Sequence, residues 1–225
     1  MSAPQHLDSE APIDLAALAD RFVACFPKLN AEGRRVFVAL YRVLSLGEPV
    51  SAQQVAQRAG VSLHQVNTLL DAVPGVYRED GKVTGFWGLT LRKLSKHRFH
   101  TGERTLYTWC AWDALFIPMI LGNTAYIESE DAQTGAPIRL TVAPDRVTAV
   151  SPRGTVVSML EPREDMLADV VTRLCHYIHF FASEVSGRAW ITKHPGTVLL
   201  SLEDAFELGR RTNQMRYGEA LLNDS

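Results

Sequence analysis

Two cysteines and an aspartate carry the chemistry that this sequence can support. Residues 109–113 read WCAWD, so the thiol of Cys110 and the carboxylate of Asp113 stand three positions apart, and a second thiol, Cys175, follows later. The segment continues as an apolar run to Gly122, which predicts a buried helix. Residues i and i+3 share one face of a helix, so Cys110 and Asp113 can meet there. The three residues together predict a thiolate site for a soft metal with its own proton donor.

Each cysteine also has an ordinary structural interpretation. Free cysteine is among the most buried residue types, so core packing alone accounts for Cys110 or Cys175. Asp113 weighs against this interpretation, because a carboxylate on an apolar helix is costly to bury unless it is paired. The neighbouring Trp109 and Trp112 are expected to desolvate it, which raises its pKa toward that of a usable acid.

The other cysteine and the histidines receive structural predictions. Cys25 lies on an apolar helix face and is expected in the core. Residues 175–179 contain zinc-ligand types, but one short cluster supplies too few ligands for a zinc site. We expect the His179 side chain either to point into the core or to donate a hydrogen bond to the cysteine sulfurs without contacting the metal. His97 and His100 are expected in a solvated turn without a ligand role.

Composition limits the functional classes. The chain has 225 residues, of which 46% are hydrophobic, and a net charge of -2 from 23 basic and 25 acidic residues. A core of useful size is therefore expected, with no electrostatic footprint for nucleic acid or an anionic membrane. Neither a secretion signal nor a membrane span is indicated. Three cysteines do not make a disulfide framework, so we expect a cytoplasmic protein with reduced thiols.

The N-terminal half is predicted to be helical. Residues 1–26 are expected to form a tail, over 1–12, and a helix, over 14–26. A second helix is predicted over 32–46, where Gly47 stops the apolar periodicity.

A winged-helix-like domain is predicted over 27–95. Ser51 and Ser62 each begin a capping box, which predicts two short helices and a helix-turn-helix. A hairpin is predicted over 76–91. The recognition helix, residues 62–71, has no lysine or arginine. Basic side chains supply most non-specific DNA affinity, so a structural lid or packing module is favoured over DNA binding.

Residues 96–225 are predicted to form the catalytic domain, with a helix at its start and an antiparallel sheet, which makes the whole chain α+β. Alternating apolar residues and turn signals predict strands over 138–142, 147–150, 156–160 and 177–182. Helical spacing predicts further helices over 167–174 and 202–222.

Three segments of the chain, which include Cys110, Asp113 and Cys175, resemble the organomercurial (alkylmercury) lyase family. The matching segments are LYTWCAWDAL at 106–115, TGAPIRLTV at 134–142 and CHYIHFFAS at 175–183. They occur in the family's order and at similar spacing over about half of the chain. A match of this extent is much more specific than a single cysteine and aspartate three residues apart.

The resemblance implies an enzyme that cleaves carbon–mercury bonds by protonolysis. It places Cys110, Asp113 and Cys175 at the catalytic positions, where they also contact the substrate and product mercury. Some members of the family have further cysteines where this chain has Asp131 and His176, so any role of those thiols elsewhere does not carry over.

The expected substrate is an organomercury cation, R–Hg⁺, delivered as a thiol adduct and captured first by either thiol. No resident cofactor is expected. Small external thiols are expected for turnover, and the resemblance implies a mercuric reductase as the acceptor of Hg²⁺. No nucleic-acid or membrane partner is expected. The main alternative is a mercury- or metal-sensing winged-helix regulator. A cysteine hydrolase is the third hypothesis, which lacks a recognisable order of nucleophile, histidine and acid.

Overall fold

The computed structural model of the chain describes residues 13–162 and 173–222. The predicted tail over 1–12 and most of the predicted helix over 167–174 lie outside them. The helices are α1 Leu15–Cys25, α2 Ala31–Leu44, α3 Ala52–Ala59, α4 Leu63–Ala72, α5 Asp113–Leu121, α6 Glu184–Ile191 and α7 Leu202–Tyr217. Within the described part of the chain, none of them is both long and apolar enough to cross a membrane.

The strands complete the predicted α+β architecture. They are β1 Val76–Glu79, β2 Lys82–Phe86, β3 Leu89–Thr90, β4 Arg98–Thr101, β5 Arg104–Thr108, β6 Ala125–Glu130, β7 Pro137–Val142, β8 Val147–Ser151, β9 Val156–Leu160, β10 Phe180–Phe181 and β11 Thr197–Ser201. Short 3-10 turns occur at Cys175–Tyr177 and Gly218–Leu221.

Side-chain caps set the ends of the N-terminal helices as predicted. Ser51 and Ser62 each accept a hydrogen bond from the amide three residues later, and the glutamine there accepts one from the serine amide. These reciprocal bonds satisfy amides that the first helical turn leaves without partners. Gly60 ends α3 with a left-handed φ of 63°. Helices α3 and α4 therefore form the predicted helix-turn-helix.

The predicted wing is a tight hairpin. Strands β1 and β2 are antiparallel, and the two residues between them, Asp80 and Gly81, have φ values of 49° and 75°. A two-residue turn with both φ values positive matches the twist of the flanking strands. Strand β3 then pairs with β2, which confirms the hairpin predicted over 76–91.

The wing is continuous with the sheet of the C-terminal half. One antiparallel sheet has the order β1-β2-β3-β5-β4-β6-β7-β8, and a second has the order β10-β9-β11. Leu89 of β3 lies opposite Thr108, the last residue of β5. The end of the wing therefore lies beside the start of the WCAWD segment.

Three of the four predicted strands are confirmed, as β7, β8 and β9. The strand predicted over 177–182 is wrong in extent, because a 3-10 turn occupies Cys175–Tyr177 and only Phe180–Phe181 pairs with β9. The solvated turn at His97 and His100 is also wrong. Residues 98–101 form β4, which lies between β5 and β6, and His97 is buried.

Close packing of α5 on α7 fixes the start of α5. A Cβ added at Gly209 of α7 would lie 2.6 Å from the Cβ of Phe116 of α5. The two helices therefore come so close at Gly209 that a residue larger than glycine does not fit there. The Trp112 indole donates to the Ala205 carbonyl at 2.9 Å, and the Asn213 amide donates to the Phe116 carbonyl at 2.9 Å. The first turn of α5 is thereby anchored to α7.

Candidate active site

The turn between β5 and α5 positions Cys110 and Asp113. The sequence predicted that residues 109–113 all belong to a helix. This prediction is wrong for residues 109–112, because α5 begins at Asp113. The Trp109 amide instead donates to the Gly88 carbonyl at 2.9 Å, and the Cys110 amide donates to Oδ2 of Asp113 at 2.8 Å. These bonds take the amides away from helical pairing, yet they still bring Cys110 and Asp113 together.

A 3-10 turn brings Cys175 to the same place. The Ala111 amide donates to the Ile178 carbonyl at 3.3 Å, which joins the two cysteine segments. One ligand atom each from Cys110, Asp113 and Cys175 lies within 4.8 Å of the other two. All three side chains are buried, at 1%, 6% and 6% exposure. Two sulfurs and a carboxylate at this spacing can hold one soft metal ion.

Burial controls protonation at this cluster. Desolvation raises the pKa of Asp113 to about 7, against hydrogen bonds from the Cys110 thiol and amide that favour the carboxylate. Desolvation also raises the pKa of Cys110 well above its ordinary value, and the neighbouring Cys175 and Asp113 add to the effect. Without a metal, Cys110 is therefore a protonated thiol near neutral pH. Asp113 can accept a proton and release it again in the same pH range, because its pKa is about 7.

Gly88, which the sequence interpretation missed, supports the Asp113 carboxylate. A Cβ at Gly88 would lie 2.5 Å from Oδ1 of Asp113, and the residue has a φ of +99°. Trp87 beside it has a φ of 34°, a costly region for a bulky residue. The Tyr41 hydroxyl donates to the Trp87 carbonyl at 2.6 Å and holds this conformation. Only glycine fits against the carboxylate here.

The three side chains open into a small cavity with aromatic walls. Its free volume is about 20 Å³, which is room for about one water molecule. Much of its wall comes from Phe26, Trp87, Trp109, Trp112 and Phe116. Phe26, at the end of α1, and Trp87 and Gly88, between β2 and β3 of the wing, thus all line the site. A wall of low polarity strengthens the electrostatic interactions inside the cavity.

Two family models match this chain. The family model described as alkylmercury lyase matches residues 91–214, and the model described as the helix-turn-helix domain of alkylmercury lyase matches residues 14–87. An alkylmercury lyase from Streptomyces lividans is 39% identical over 207 residues, which cover 91% of this chain and 93% of that protein. The chain belongs to the alkylmercury lyase family.

Further relatives agree. An alkylmercury lyase from Pseudomonas putida is 44% identical over 175 residues, covering 77% of this chain and 81% of that protein. The crystal structure of the mercury-bound form of MerB2 shares the fold, with a TM-score of 0.70, 24% identity, and coverage of 89% of this chain and 98% of that one. Alkylmercury lyases cleave carbon–mercury bonds, so the predicted enzyme activity is confirmed and the regulator alternative is not favoured.

A second cavity of this lyase, the outer cavity, adjoins Cys175 but not Cys110, and the small cavity lined by both cysteines is the inner cavity. The outer cavity has a volume of about 380 Å³ and shares Trp109 and Cys175 with the inner cavity. His97 and His179 also line it. Desolvation lowers the pKa of His97 to about 3 and that of His179 to about 4, so both imidazoles are neutral at physiological pH. His179 is half-buried and lines the outer cavity but not the inner one.

Asp131 and His176 lie outside the inner cavity. Asp131 is fully buried, and its carboxylate accepts bonds from the Thr134 and Ala182 amides and the Ser186 hydroxyl. Burial acts to raise its pKa, but these bonds outweigh burial and leave the pKa below its usual value. His176 is exposed at the outer cavity. Cys25, predicted to be a core residue, is buried in α1.

Proposed function

We propose that this lyase binds R–Hg⁺ between Cys110 and Cys175 and cleaves its carbon–mercury bond with a proton from Asp113. The observation that carries the proposal is the buried triad, in which the two thiols and a carboxylate with a pKa of about 7 have ligand atoms within 4.8 Å of one another. Thiolates suit a soft metal, and an acid that titrates near working pH suits proton transfer.

Cys175 captures the substrate first. It lines both cavities and is more exposed than Cys110, so a thiol adduct R–Hg–SR′ in the outer cavity meets Cys175 before the second thiol. Cys175 exchanges with the adduct, forms the Cys175–S–Hg–R bond and gives its proton to the departing thiol, R′SH. The outer cavity is the larger by far and has room for the organic group.

Cys110 then completes the mercury site. Its thiol proton passes to the Asp113 carboxylate, and the resulting thiolate bonds to mercury. Between unperturbed groups this transfer costs about 6 kcal/mol. Desolvation of Asp113 and coordination of the sulfur by mercury both reduce that cost. The product of this step is an anionic two-thiolate complex of R–Hg beside a protonated Asp113.

Protonolysis follows from this arrangement. Electron donation from two sulfurs makes the mercury-bound carbon more carbanion-like, and Asp113 donates its proton to that carbon as the general acid. The electron pair of the carbon–mercury bond becomes the new carbon–hydrogen bond, RH leaves, and Hg²⁺ stays on the two thiolates. Asp113 is again a carboxylate, so no resident cofactor is required.

Release requires an acceptor with its own thiols, because two thiolates hold Hg²⁺ tightly. Small thiols and a mercuric reductase fit this requirement. The cycle also requires both cysteines in the reduced state, which the cytoplasm maintains.

Headspace analysis of hydrocarbon tests the proposed function. The full chain, incubated with a simple organomercurial in excess small thiol, should release one hydrocarbon per mercury cleaved, whereas Cys175→Ser should release none above background. Absence of hydrocarbon from the unmodified chain, or full release by Cys175→Ser, would overturn the two-thiolate reaction.

A further inference from the structure

Tyr41 of α2 is a buried polar residue that the reaction above does not use. The side chain is fully buried, and its hydroxyl donates to the Trp87 carbonyl at 2.6 Å. Burial raises the pKa of Tyr41 well above its ordinary value, and Tyr217 and Asp113 nearby add to the effect. The hydroxyl therefore keeps its proton near neutral pH and remains a hydrogen-bond donor.

Packing fixes the position of this hydroxyl. The Tyr41 ring meets the ring of Phe86 edge-on, with 5.0 Å between the ring centroids. The next residue of α2, Arg42, donates from Nε to the Ile120 carbonyl at 3.1 Å, close to the end of α5. Helix α2 therefore contacts both the turn beside Asp113 and the helix that begins with Asp113.

The Trp87 carbonyl belongs to the peptide group that precedes Gly88, so its direction is coupled to the φ of Gly88. That φ is +99°, and a Cβ added there would lie 2.5 Å from Oδ1 of Asp113. The peptide group that follows Gly88 is held as well, because the Gly88 carbonyl accepts a bond from the Trp109 amide at 2.9 Å. The φ of 34° at Trp87 is unfavourable for a bulky residue, so the turn should relax if the Tyr41 bond is lost.

We infer that Tyr41 is a positioning residue for the proton donor. Its hydroxyl keeps Gly88 against Oδ1 of Asp113, while the Cys110 amide holds Oδ2 at 2.8 Å. The inference rests on the proposed function, because it concerns delivery of the proton from Asp113. Tyr41 lines neither the inner nor the outer cavity. Loss of its hydroxyl should therefore impair proton transfer and leave the capture of mercury unchanged.

Single-turnover kinetics of Tyr41→Phe test this role. The substitution removes only the hydroxyl and keeps the ring that packs on Phe86. Capture of a simple organomercurial, followed by mass spectrometry of the intact protein, should keep the rate of the unmodified chain. Hydrocarbon release from the captured complex should slow by about 10- to 100-fold, because a displacement of about 1 Å in a reacting group costs about 100-fold in rate.

Thr212→Val is the matched control. The Thr212 hydroxyl is also buried and donates to a main-chain carbonyl, that of Leu208, at 2.8 Å. Each variant is assayed well below its own unfolding temperature, and Thr212→Val should release hydrocarbon at the rate of the unmodified chain. Equal slowing of release in the two variants would assign the effect to lost stability and would overturn the inference.

The double variant Tyr41→Phe/Gly88→Ala tests whether Tyr41 acts through Gly88. It should release hydrocarbon no more slowly than Gly88→Ala alone, because two changes that disturb one contact are not additive. Losses that multiply would overturn the inference. Unchanged release by Tyr41→Phe, or equal slowing of its capture and release, would do the same. Failure of the unmodified chain to release hydrocarbon would instead overturn the proposed function.

Discussion

The Cys110 amide donates a 2.8 Å hydrogen bond to the Asp113 carboxylate, although only Asp113 belongs to α5. The hydrogen bond from this main-chain amide therefore holds the Asp113 carboxylate next to Cys110 before any mercury binds. Cys175 comes from a separate segment that is joined to this turn by the bond between Ala111 and Ile178.

The two site cysteines should differ in capture but not in turnover. Cys110→Ser and Cys175→Ser should each reduce hydrocarbon release to background, since a hydroxyl neither ionises readily nor suits a soft metal. Cys110→Ser should still form a one-to-one adduct with the organomercurial, because Cys175 lines the outer cavity, whereas Cys175→Ser should react slowly. Mass spectrometry of the intact protein over time measures both rates.

Cys25→Ser is the matched control for this series, because Cys25 is buried in α1 and lines neither cavity. Its capture and turnover should stay near those of the unmodified chain. Faster capture by Cys175→Ser than by Cys110→Ser would contradict the proposed order of the thiols.

Gly88 should be required for proton transfer. In Gly88→Ala the added Cβ would overlap Oδ1 of Asp113 at 2.5 Å, so the carboxylate must move. A displacement of about 1 Å in a reacting group costs about 100-fold in rate, and we expect a loss of this size in single-turnover protonolysis. Gly102→Ala is the control, since Gly102 also has a positive φ but no atom within 4 Å of an added Cβ. Equal effects of the two substitutions would assign the loss to backbone strain.

The raised pKa of Asp113 should appear in the pH dependence of stability. Between its ordinary value of 3.8 and about 7, the folded chain binds a proton at Asp113 that the unfolded chain has released. The contribution of Asp113 to stability is therefore full below pH 4 and is lost as pH rises to about 7. This difference corresponds to about 4 kcal/mol.

Asp113→Asn removes this titration. The free energy of unfolding of each protein is measured with denaturant. The value for Asp113→Asn minus the value for the unmodified chain should increase by up to about 4 kcal/mol between pH 4 and pH 8. A constant difference between the two proteins over that range would mean that Asp113 titrates normally.

The helix-turn-helix should not bind duplex DNA. Its recognition helix lacks basic residues, and its wing is built into the main sheet through β3 and β5. Gel shifts at physiological salt should show no complex tighter than about 1 μM. A tighter complex that weakens steeply with salt would return the regulator hypothesis to consideration.

Local signals in the sequence were sufficient for much of the fold. The capping boxes at Ser51 and Ser62 and the Asp80-Gly81 turn act within a few residues, so their geometry follows from residue type. Strand β4 was missed because its residues are mostly polar. Its burial comes from pairing with β5 and β6, which the local pattern does not reveal.

The candidate site was predictable in part. The resemblance singled out Cys110, Asp113 and Cys175, and the structure brings their ligand atoms together. Gly88 and Tyr41 take their places beside the site only through tertiary packing, from the wing and from α2. A glycine after a tryptophan with positive φ and a tyrosine on a helix have no distinctive sequence pattern, so neither could be identified before the fold was known.

The most direct test of the central claim is the fate of the substrate in Asp113→Asn. The amide keeps the size and much of the hydrogen bonding of the carboxyl group but has no acidic proton to transfer. Intact-protein mass spectrometry after incubation with an organomercurial should show protein plus intact R–Hg, and the headspace should contain no hydrocarbon above background. Hydrocarbon release at a rate near that of the unmodified chain would show that another group delivers the proton, and would contradict the role of Asp113.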